Sequence, residues 1–527
     1  MIAVKKNKII FFLTAVAIIF LALFFKHVEE QVGMARYDQI YREPSEAELE
    51  QEVGGKPKSD GLISHLPVIS IDTKGKEIPG DAFVTEEGSI TGVSKTKQGQ
   101  DRIIASLTSW DAPDEWHDDS KKPDYEGNIT IHIRGNSSRA FTKKSYRIEM
   151  LSDKVDVSDT SLFGKADLGD LDTKKVSLGG MNQGKSYILN GPFLDKTLMR
   201  NYMWMNISGQ LLKYTPQVRF CELKINGEYQ GLYVLMEPVD VEEERMNLSE
   251  YTVGDPVLSY VIHLEPKTES EKAIEEFTFY TRRLEEKERY EITYPVQKDL
   301  SEQVKEYIVA DFSEIEQAIY SYEAGSDDDF YLDYIDEDSF VDYYILMEFV
   351  GNNDCFQAST YFYKDARGKL HIGPVWDFNN CLDNFYNELS FREFYVSQRG
   401  WYSQLMKSER FVNKVIKRYR QLRGGILSEE YLINYIQDAQ NFIGSAAERN
   451  FQVWGFSFDY KNLQVTEMRQ PDKDGDSTYE DVNPSSYEEA TQKMISYMKH
   501  RGKWLDENIN TLLQYCHQSR NANTALY

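Results

Sequence analysis

The sequence predicts an α+β fold, with a sheet-rich N-terminal half followed by a helical C-terminal half. From about residue 62 to residue 237, short runs alternate between apolar and polar residues and are separated by Gly, Asp and Ser, which is typical of strands. After about residue 300, apolar residues recur at spacings of three and four, which indicates amphipathic helices. Strands gathered in one half and helices in the other favour an α+β architecture.

The clearest strand signal is a hairpin around Asn226-Gly227, because these two residues accept the positive φ angles that a tight primed turn requires. The predicted strands are residues 67–72, 101–106, 128–134, 144–149, 220–225 and 230–237. The predicted helices are residues 304–322, 339–349, 408–423, 430–451 and 487–514. A further helix is expected to begin within residues 191–201, where Asp195 is either its N-cap or a ligand.

Size and charge limit what the protein can bind. A chain of 527 residues, 41% of them hydrophobic, can bury the core of one large domain or of two tightly joined lobes. The formal net charge of -26 leaves no basic stripe to neutralise phosphates, so nucleic acid is not expected as a partner. The 4 cysteines include no CxxC pair, which indicates neither a zinc site nor a dense disulfide framework. Basic proteins and divalent metals are more compatible with this net negative charge as binding partners.

The N-terminus is predicted to anchor the protein in a membrane. Residues 9–25 form a continuous run of non-ionisable, mostly large apolar residues, preceded by Lys5, Lys6 and Lys8. No small-x-small cleavage site follows, so a single-pass anchor is favoured over a signal peptide, whose removal would make the protein secreted. The predicted organisation is a basic cytoplasmic segment (1–8), the anchor (9–25), a solvated stalk (26–60), one large domain outside the cytoplasm (61–520) and a tail (521–527).

Residues 179–186 match the spacing of a phosphate-binding loop, G-x-x-x-x-G-K-[ST], but their context does not. Such a loop needs a long helix that starts at its Lys-Ser pair, so that free N–H groups face the phosphates. Here residues 187–189 are predicted to be a strand, and Asn-Gly-Pro breaks the chain directly after it. We therefore do not expect a nucleotide site at this position.

Two separated segments place carboxylates where an ordered element ends. Asp354 closes a polar Gly-Asn-Asn-Asp loop after a predicted helix, and Asp377 follows a short predicted strand. Phosphoryl transfer needs one carboxylate near the attacking hydroxyl and another on the magnesium that binds the nucleotide phosphates. The same pattern is equally consistent with Asp354 capping a turn and Asp377 being a buried, hydrogen-bonded aspartate.

A basic cluster lies on two predicted strands and on the small-residue loop between them. It comprises Arg134, Arg139, Lys143, Lys144 and Arg147. Such strands can lie over a triphosphate, with a lysine that contacts the α and β phosphates. The alternative is a basic hairpin without a ligand.

Several motifs along the chain resemble those of the CotH kinase family, named after spore-coat protein H. They occur in the family's order, and the resemblance covers about residues 65–515. The motifs are Arg134-Gly-Asn-Ser-Ser, Lys143-Lys-Ser-Tyr-Arg147, Leu189-Asn-Gly-Pro-Phe-Leu-Asp195, Leu198-Met-Arg-Asn201, Ile225-Asn-Gly-Glu-Tyr-Gln-Gly-Leu-Tyr233 with Glu237, Gly373-Pro-Val-Trp-Asp-Phe378 and Arg501-Gly-Lys-Trp504.

This resemblance implies a strongly diverged protein-kinase-like fold with two lobes, which uses ATP together with Mg²⁺ or Mn²⁺. By the same resemblance, Asp354 is the catalytic aspartate that orients the substrate hydroxyl, and Asp377 binds the metal. The other implied site residues are Asn379 at the metal, and Lys144 with its partner Glu237, Arg134 and Asn353 at the cofactor.

The function expected from the resemblance is phosphorylation of Ser or Thr in a surface, secreted or spore-coat protein of a bacterium, by a kinase anchored in the membrane. Many members of the family have Asp where this chain has Asn379, and an amide lacks the charge of a carboxylate. The alternative is therefore a catalytically weak or inactive kinase-like module that binds a protein or a cell-wall component.

Overall fold

The computed structural model describes Thr14 and residues 18–21, 61–112, 116–158, 162, 168–252, 254–266, 288–296, 299–321, 330–384, 390–469, 471 and 477–516. Within these residues, no helix is both long enough and apolar enough to cross a membrane. Of the predicted anchor, only Thr14 and residues 18–21 are described, and they are helical and exposed. The predicted segments 1–8, 26–60 and 521–527 lie outside the described residues, and so does most of segment 9–25.

The N-terminal half is rich in strands, as predicted. Its strands are β1 (Ile63–Ser64), β2 (Val68–Asp72), β3 (Ala82–Val84), β4 (Ile90–Val93), β5 (Ile103–Trp110), β6 (His117–Asp118), β7 (Tyr125–Ile133), β8 (Tyr146–Met150), β9 (Ser186–Asn190), β10 (Val218–Ile225) and β11 (Glu228–Met236). One sheet closes on itself in the order β2-β5-β7-β8-β9-β11-β10, because β10 pairs back onto β2. This closed sheet surrounds its own apolar core, to which β2, β5, β7, β8, β10 and β11 all contribute buried side chains.

The hairpin predicted at Asn226-Gly227 is confirmed as the β10–β11 turn. Both turn residues have positive φ, 54° at Asn226 and 80° at Gly227. These are the angles that a primed two-residue turn requires.

A second sheet packs into the same apolar core as the helices. Its strands are β12 (Tyr260–Pro266), β13 (Glu288–Tyr294), β14 (Thr360–Lys364) and β15 (Leu370–Ile372), and they pair antiparallel in the order β13-β12-β14-β15. Its buried side chains belong to the same large apolar core as those of the helices. The second sheet thus joins the strand-rich half to the helical half.

The C-terminal half is helical, which confirms the predicted α+β class. The helices are α1 (Arg200–Gly209), α2 (Glu302–Tyr320), α3 (Glu337–Val350), α4 (Tyr402–Leu405), α5 (Glu409–Arg423), α6 (Glu429–Ile443), α7 (Ser445–Trp454), α8 (Tyr479–Val482) and α9 (Tyr487–Asn508). Ser408, Ser428 and Ser486 cap α5, α6 and α9, since each side chain accepts a hydrogen bond from a backbone N–H in the first turn.

Two predicted helix boundaries are wrong. The single helix expected over residues 430–451 breaks at Gly444, whose φ of 51° and ψ of -135° cannot continue a helix. The helix expected over residues 487–514 ends at Asn508 and continues as a 3₁₀ helix, Ile509–Cys516. The helix expected to begin within residues 191–201 is confirmed and begins at Arg200, but its N-cap residue is Met199; Asp195 lies in the preceding loop and accepts a hydrogen bond from the Arg200 N–H at 2.8 Å.

Residues 179–186 form no phosphate-binding loop, in agreement with the sequence analysis. Ser186 is the first residue of β9, so the Lys-Ser pair leads into a strand instead of a helix. A Cβ atom added at Gly184 would lie only 1.8 Å from the Arg245 guanidinium, so that side chain fills the space beside the loop.

Candidate functional site

A cavity of about 550 Å³ brings together residues from both halves of the chain. Four residues that the sequence analysis selected line it: Arg134, Asp354, Asp377 and Asn379. The cavity also receives the loop after β7, the loop between β9 and α1, and the tip of the β3–β4 hairpin. The structure therefore unites segments that lie more than two hundred residues apart in sequence.

Asp354 reaches the cavity because α3 ends just before it. Gly351 terminates the helix with a φ of 61°, and the Asn352 side chain then accepts a hydrogen bond from the Asp354 N–H at 2.8 Å. Among the described residues, the Asp354 carboxylate accepts no hydrogen bond. Burial, and then the neighbouring charges of Asp377 and Glu265, raise the pKa of Asp354 to about 7. At neutral pH this carboxyl is therefore close to half ionised, which suits a group that exchanges a proton with substrate.

Asp377 lies in the loop that follows β15, with its backbone in the left-handed region at a φ of 54°. Its Oδ1 atom accepts hydrogen bonds from the Asn379 backbone N–H at 3.3 Å and from the Asn379 side-chain amide at 2.7 Å. Burial raises the pKa of Asp377, and the positive charge of Arg134 is the largest opposing influence. No hydrogen bond to its other oxygen, Oδ2, is formed within the described residues, which leaves that atom free for a ligand.

Arg134 supplies the cation of the cavity. It follows β7 directly, and its guanidinium lies 5.7 Å from the centre of the Trp376 ring. Among the described residues, this guanidinium makes no hydrogen bond and no ion pair. Burial lowers its pKa, while the charge of Asp377 acts in the opposite direction. A guanidinium that is partly buried, charged and without a hydrogen-bond partner is suited to bind phosphate oxygens.

The loop after Arg134 requires a glycine at its first position. Gly135 has a φ of 123°, and a Cβ atom there would lie 1.9 Å from the Ser138 side-chain oxygen. Both residues line the cavity. We expect Gly135→Ala to displace this loop. Ligand binding at the cavity should weaken, whereas the melting temperature should stay close to that of the wild type; parallel binding and unfolding measurements would check both.

Lys144 and Glu237 do not form the pair that the sequence analysis expected, and neither lines the cavity. The Lys144 ammonium is bonded to the Asp81 carboxylate and donates to the Arg139 carbonyl at 2.8 Å. Glu237 is buried and accepts a hydrogen bond from the Gln217 N–H at 2.8 Å. The predicted lysine–glutamate contact is therefore wrong.

Asn353 also does not line the cavity. Its side-chain oxygen accepts a hydrogen bond from Arg399 at 2.5 Å, and its backbone carbonyl accepts another from the same guanidinium. Asn353 therefore fixes the loop that carries Asp354. Asn379 does line the cavity, but its side-chain oxygen accepts a hydrogen bond from Asn201 at 3.0 Å.

The sequence analysis missed Glu265, a third carboxylate of the cavity. It lies near the end of β12, and its Oε1 atom is 3.0 Å from the His263 Nε2 atom. The His263 ring in turn stacks on Tyr361 at 3.8 Å between centroids. Its place at the cavity follows from the pairing of β12 with β14, which no local sequence pattern indicates.

The donor atoms fit a magnesium ion that is held only partly by protein. In the part of the chain that the structure describes, no group of three or more His, Cys, Asp or Glu side chains is arranged as a ready metal cage. Magnesium commonly keeps several waters and uses one or two carboxylates together with substrate phosphates. Asp377, with one uncommitted oxygen, matches that requirement, and Asp354 and Glu265 add negative charge nearby.

The chain matches the model of the family described as "CotH kinase protein" over residues 131–505, which is more than half of its length. It belongs to the CotH kinase protein family. A curated relative, the inner spore coat protein H of Bacillus subtilis (strain 168), is 26% identical over 113 residues. That alignment covers 21% of this chain and 24% of the relative.

The region that matches the CotH family contains the selected residues of the cavity, Arg134, Asp354, Asp377 and Asn379, as well as Glu265. Strands β2 and β5 precede the matched region, yet they complete the closed sheet. The tip of the β3–β4 hairpin also precedes it and adds Glu87, Gly88 and Ile90 to the cavity wall. This CotH family member therefore builds one wall of its cavity from residues outside the matched region.

Proposed function

We propose that this protein is a kinase that transfers the γ-phosphoryl group of ATP to a Ser or Thr hydroxyl of a surface, secreted or coat protein. One observation carries the proposal: a single cavity holds two carboxylates with uncommitted oxygens, those of Asp354 and Asp377, beside the unpaired guanidinium of Arg134. Phosphoryl transfer is catalysed mainly by positioning and by neutralising charge, and these groups supply both.

Each residue has a distinct role in this proposal. Asp354 accepts a hydrogen bond from the attacking hydroxyl and takes up its proton, which a pKa of about 7 permits at neutral pH. Arg134 donates hydrogen bonds to phosphate oxygens. Asp377 holds Mg²⁺ or Mn²⁺, which supplies positive charge to the phosphates when it is bound.

The architecture supports a kinase-like arrangement in two lobes. The closed sheet and the helical part of the chain both contribute residues to the cavity, which supports a division into a strand-rich and a helical lobe. Arg134 comes from the strand-rich lobe, whereas Asp354 and Asp377 come from the lobe with the helices. A nucleotide bound between them would contact both lobes, as the resemblance to diverged kinases implies.

The name of the curated relative supports a coat or surface substrate, since that relative is described as an inner spore coat protein. The apolar run over residues 9–25 supports placing this chain at a membrane with its catalytic domain outside the cytoplasm. Substrate and location are both parts of the proposal.

Binding of nucleotide tests the proposal without requiring a substrate. We expect ATP with Mn²⁺ to raise the melting temperature of the full chain by about 2 °C or more at concentrations about 100 times Kd. Asp377→Ala should remove the part of this shift that depends on the metal. No shift in the wild-type protein with either Mg²⁺ or Mn²⁺ would contradict the proposal.

Variants of Arg134 and Lys144 distinguish the phosphate site seen in the structure from the one expected from sequence. We expect Arg134→Met to weaken ATP binding by about tenfold or more, because a charge-assisted hydrogen bond to phosphate is lost. Lys144→Met is the matched control, and it should change the affinity by less than about threefold because Lys144 is bonded to Asp81 outside the cavity. Calorimetric titration with ATP measures both, and a larger effect of Lys144→Met would contradict this assignment.

A catalytically weak binding module is the second candidate, and Asn379 is the observation that favours it. An amide in place of a carboxylate leaves the cavity with less charge to hold a divalent metal. A protein that binds ATP with Mn²⁺ but transfers no phosphate, to itself or to an acceptor protein, would match this candidate.

A further inference from the structure

The loop that carries Asp377 is held by three asparagine side chains, those of Asn190, Asn201 and Asn379. All three line the cavity, and Asn190 and Asn201 are almost fully buried. Each amide has an oxygen that accepts and a nitrogen that donates, so its function depends on which end faces which neighbour. The contacts in this loop determine those orientations.

One backbone group sets the orientation of the whole network. The N–H of Phe378 can only donate, and it donates to Asn201 Oδ1 at 2.8 Å. The amide nitrogen of Asn201 must then face the other way, where it donates to Asn379 Oδ1 at 3.0 Å and to Asn190 Oδ1 at 3.3 Å. Asn379 thus presents its oxygen to Asn201 and its nitrogen to Asp377, to which it donates at 2.7 Å.

We propose that Asn379 is a positioning residue that holds the Asp377 carboxylate, and that Asn201 fixes its orientation. The one side-chain oxygen of Asn379 already accepts from Asn201, and the atom that faces Asp377 is a nitrogen, which carries hydrogens and does not bind a cation. The contact between Asn379 and Asp377 is therefore a hydrogen bond that orients the carboxylate, which assigns Asn379 the positioning role. Asp377 has a φ of 54°, and both contacts lie on its C-terminal side: its side chain accepts from Asn379, and the next N–H, that of Phe378, donates to Asn201.

This inference deepens the proposed function. It rests on that function only for the role of Asp377 as a metal ligand. If the proposed function holds, Asp377 is the residue of this loop that binds the metal. Replacing Asn379 with a carboxylate would place a second acidic oxygen where the amide nitrogen now lies, 2.7 Å from Asp377 Oδ1. Two ionised oxygens at that separation repel each other unless a cation lies between them.

The test begins with thermal unfolding of the full chain at pH 8, without metal or nucleotide. We expect Asn379→Asp to melt about 2 °C or more below Asn379→Ala, because only the former places two carboxylates in contact. Asn380→Asp is the matched control: it adds the same charge at the next cavity residue, outside the amide network, and it should melt within about 1 °C of the wild type. If Asn379→Asp is as stable as Asn379→Ala, the proposed contact with Asp377 does not exist.

The second arm measures Mn²⁺ binding by electron paramagnetic resonance, again without nucleotide. We expect Asn379→Ala to bind Mn²⁺ about tenfold or more weakly than the wild type, because removing a residue that orients a metal-binding carboxylate costs about 10–100-fold in affinity, and Mn²⁺ to restore the stability of Asn379→Asp. An unchanged Mn²⁺ affinity in Asn379→Ala would show that Asn379 does not position Asp377 and would overturn the inference. If the first arm succeeds and the wild type binds no Mn²⁺ even after ATP is added, the proposed function fails while the positioning role of Asn379 stands.

The role of Asn201 has its own variant, Asn201→Asp. This change keeps the acceptor for the Phe378 N–H but removes the donor that faces Asn379 and Asn190. We expect it to lower the melting temperature of the metal-free protein, whereas Asn190→Asp, which keeps its accepting oxygen, should lower it less. An equal effect of the two changes would show that the Asn201 donor does not orient the network.

Discussion

Asp354→Asn is expected to lower kcat by about 10²–10⁴-fold while it makes the folded protein more stable at pH 8. The loss of activity follows because an amide cannot take up the proton of the attacking hydroxyl. The gain in stability follows from the pKa of about 7, which burial and the charges of Asp377 and Glu265 raise above the ordinary value of 3.8.

The raised pKa of Asp354 determines whether the stability of the folded protein rises or falls with pH. Below about pH 4 the carboxyl is protonated in both the folded and the unfolded protein, so it carries no penalty. Between pH 4 and pH 7 the unfolded chain ionises first, and folding loses stability until both forms are ionised above pH 7. Since Asp354 faces the cavity and is partly solvated, we expect a gain on the order of 1–2 kcal/mol for Asp354→Asn at pH 8.

Chemical unfolding at pH 8 and at pH 5 measures this difference. The stabilisation by Asp354→Asn should be larger at pH 8 than at pH 5. The surface change Asp156→Asn is a suitable control, because that carboxylate is exposed and, within the described part of the chain, its bonds are to Ser158 in its own turn. A less stable Asp354→Asn protein at pH 8 would show that the ionised carboxylate is held by favourable contacts, in contradiction to this assignment.

Arg501→Leu is expected to destabilise the protein by about 3–5 kcal/mol, because it leaves a buried carboxylate without its cation. Arg501 on α9 is fully buried and donates to the Glu348 carboxylate at 2.5 Å and to the Glu348 carbonyl at 2.8 Å. Glu348 also accepts from the backbone N–H groups of Tyr395 and Val396, at 2.7 and 2.8 Å. The pair thus joins α3, α9 and the loop over residues 390–401.

Denaturant unfolding measures this effect, and Lys503→Met on the same helix is the matched control. Lys503 is exposed, so its loss should change the stability by less than about 0.5 kcal/mol. The double variant Arg501→Leu with Glu348→Leu should be more stable than Arg501→Leu alone, since it removes the unpaired charge. Equal stability of Arg501→Leu and the wild type would show that the buried pair does not hold α9 against α3.

The sequence predicted the fold class and three groups of the cavity because the necessary signals are local. Strands and helices follow from periodicity, and the β10–β11 turn follows from Asn226-Gly227. Arg134 directly follows strand β7, Asp354 lies in the loop after α3, and Asp377 lies in the loop after β15. Loops that follow helices and strands are where a fold brings separate segments together.

The lysine expected to contact the nucleotide phosphates could not be assigned from sequence, because Lys143 and Lys144 are adjacent and their side chains point in different directions. The structure buries Lys143, whose ammonium donates to the Leu232 carbonyl at 2.6 Å and to Asn450 at 2.8 Å. Lys144 instead faces Asp81. Which of the two is buried depends on α7 packing against the closed sheet, a contact between residues more than three hundred positions apart.

Glu265 was missed for a related reason. Its place at the cavity depends on β12 pairing with β14, which brings it beside the segments that carry Asp354 and Asp377. The break of the predicted helix 430–451 at Gly444 has a local cause, and the conformational freedom of glycine was available as a signal.

Transfer of labelled γ-phosphate from ATP to the chain itself or to casein, with Mn²⁺ or Mg²⁺ present, shows whether this protein is a kinase. We expect incorporation by the wild-type protein and its loss in both Asp354→Asn and Asp377→Ala. Equal incorporation by the wild type and by both variants would contradict this expectation, because the two carboxylates would then have no part in the reaction.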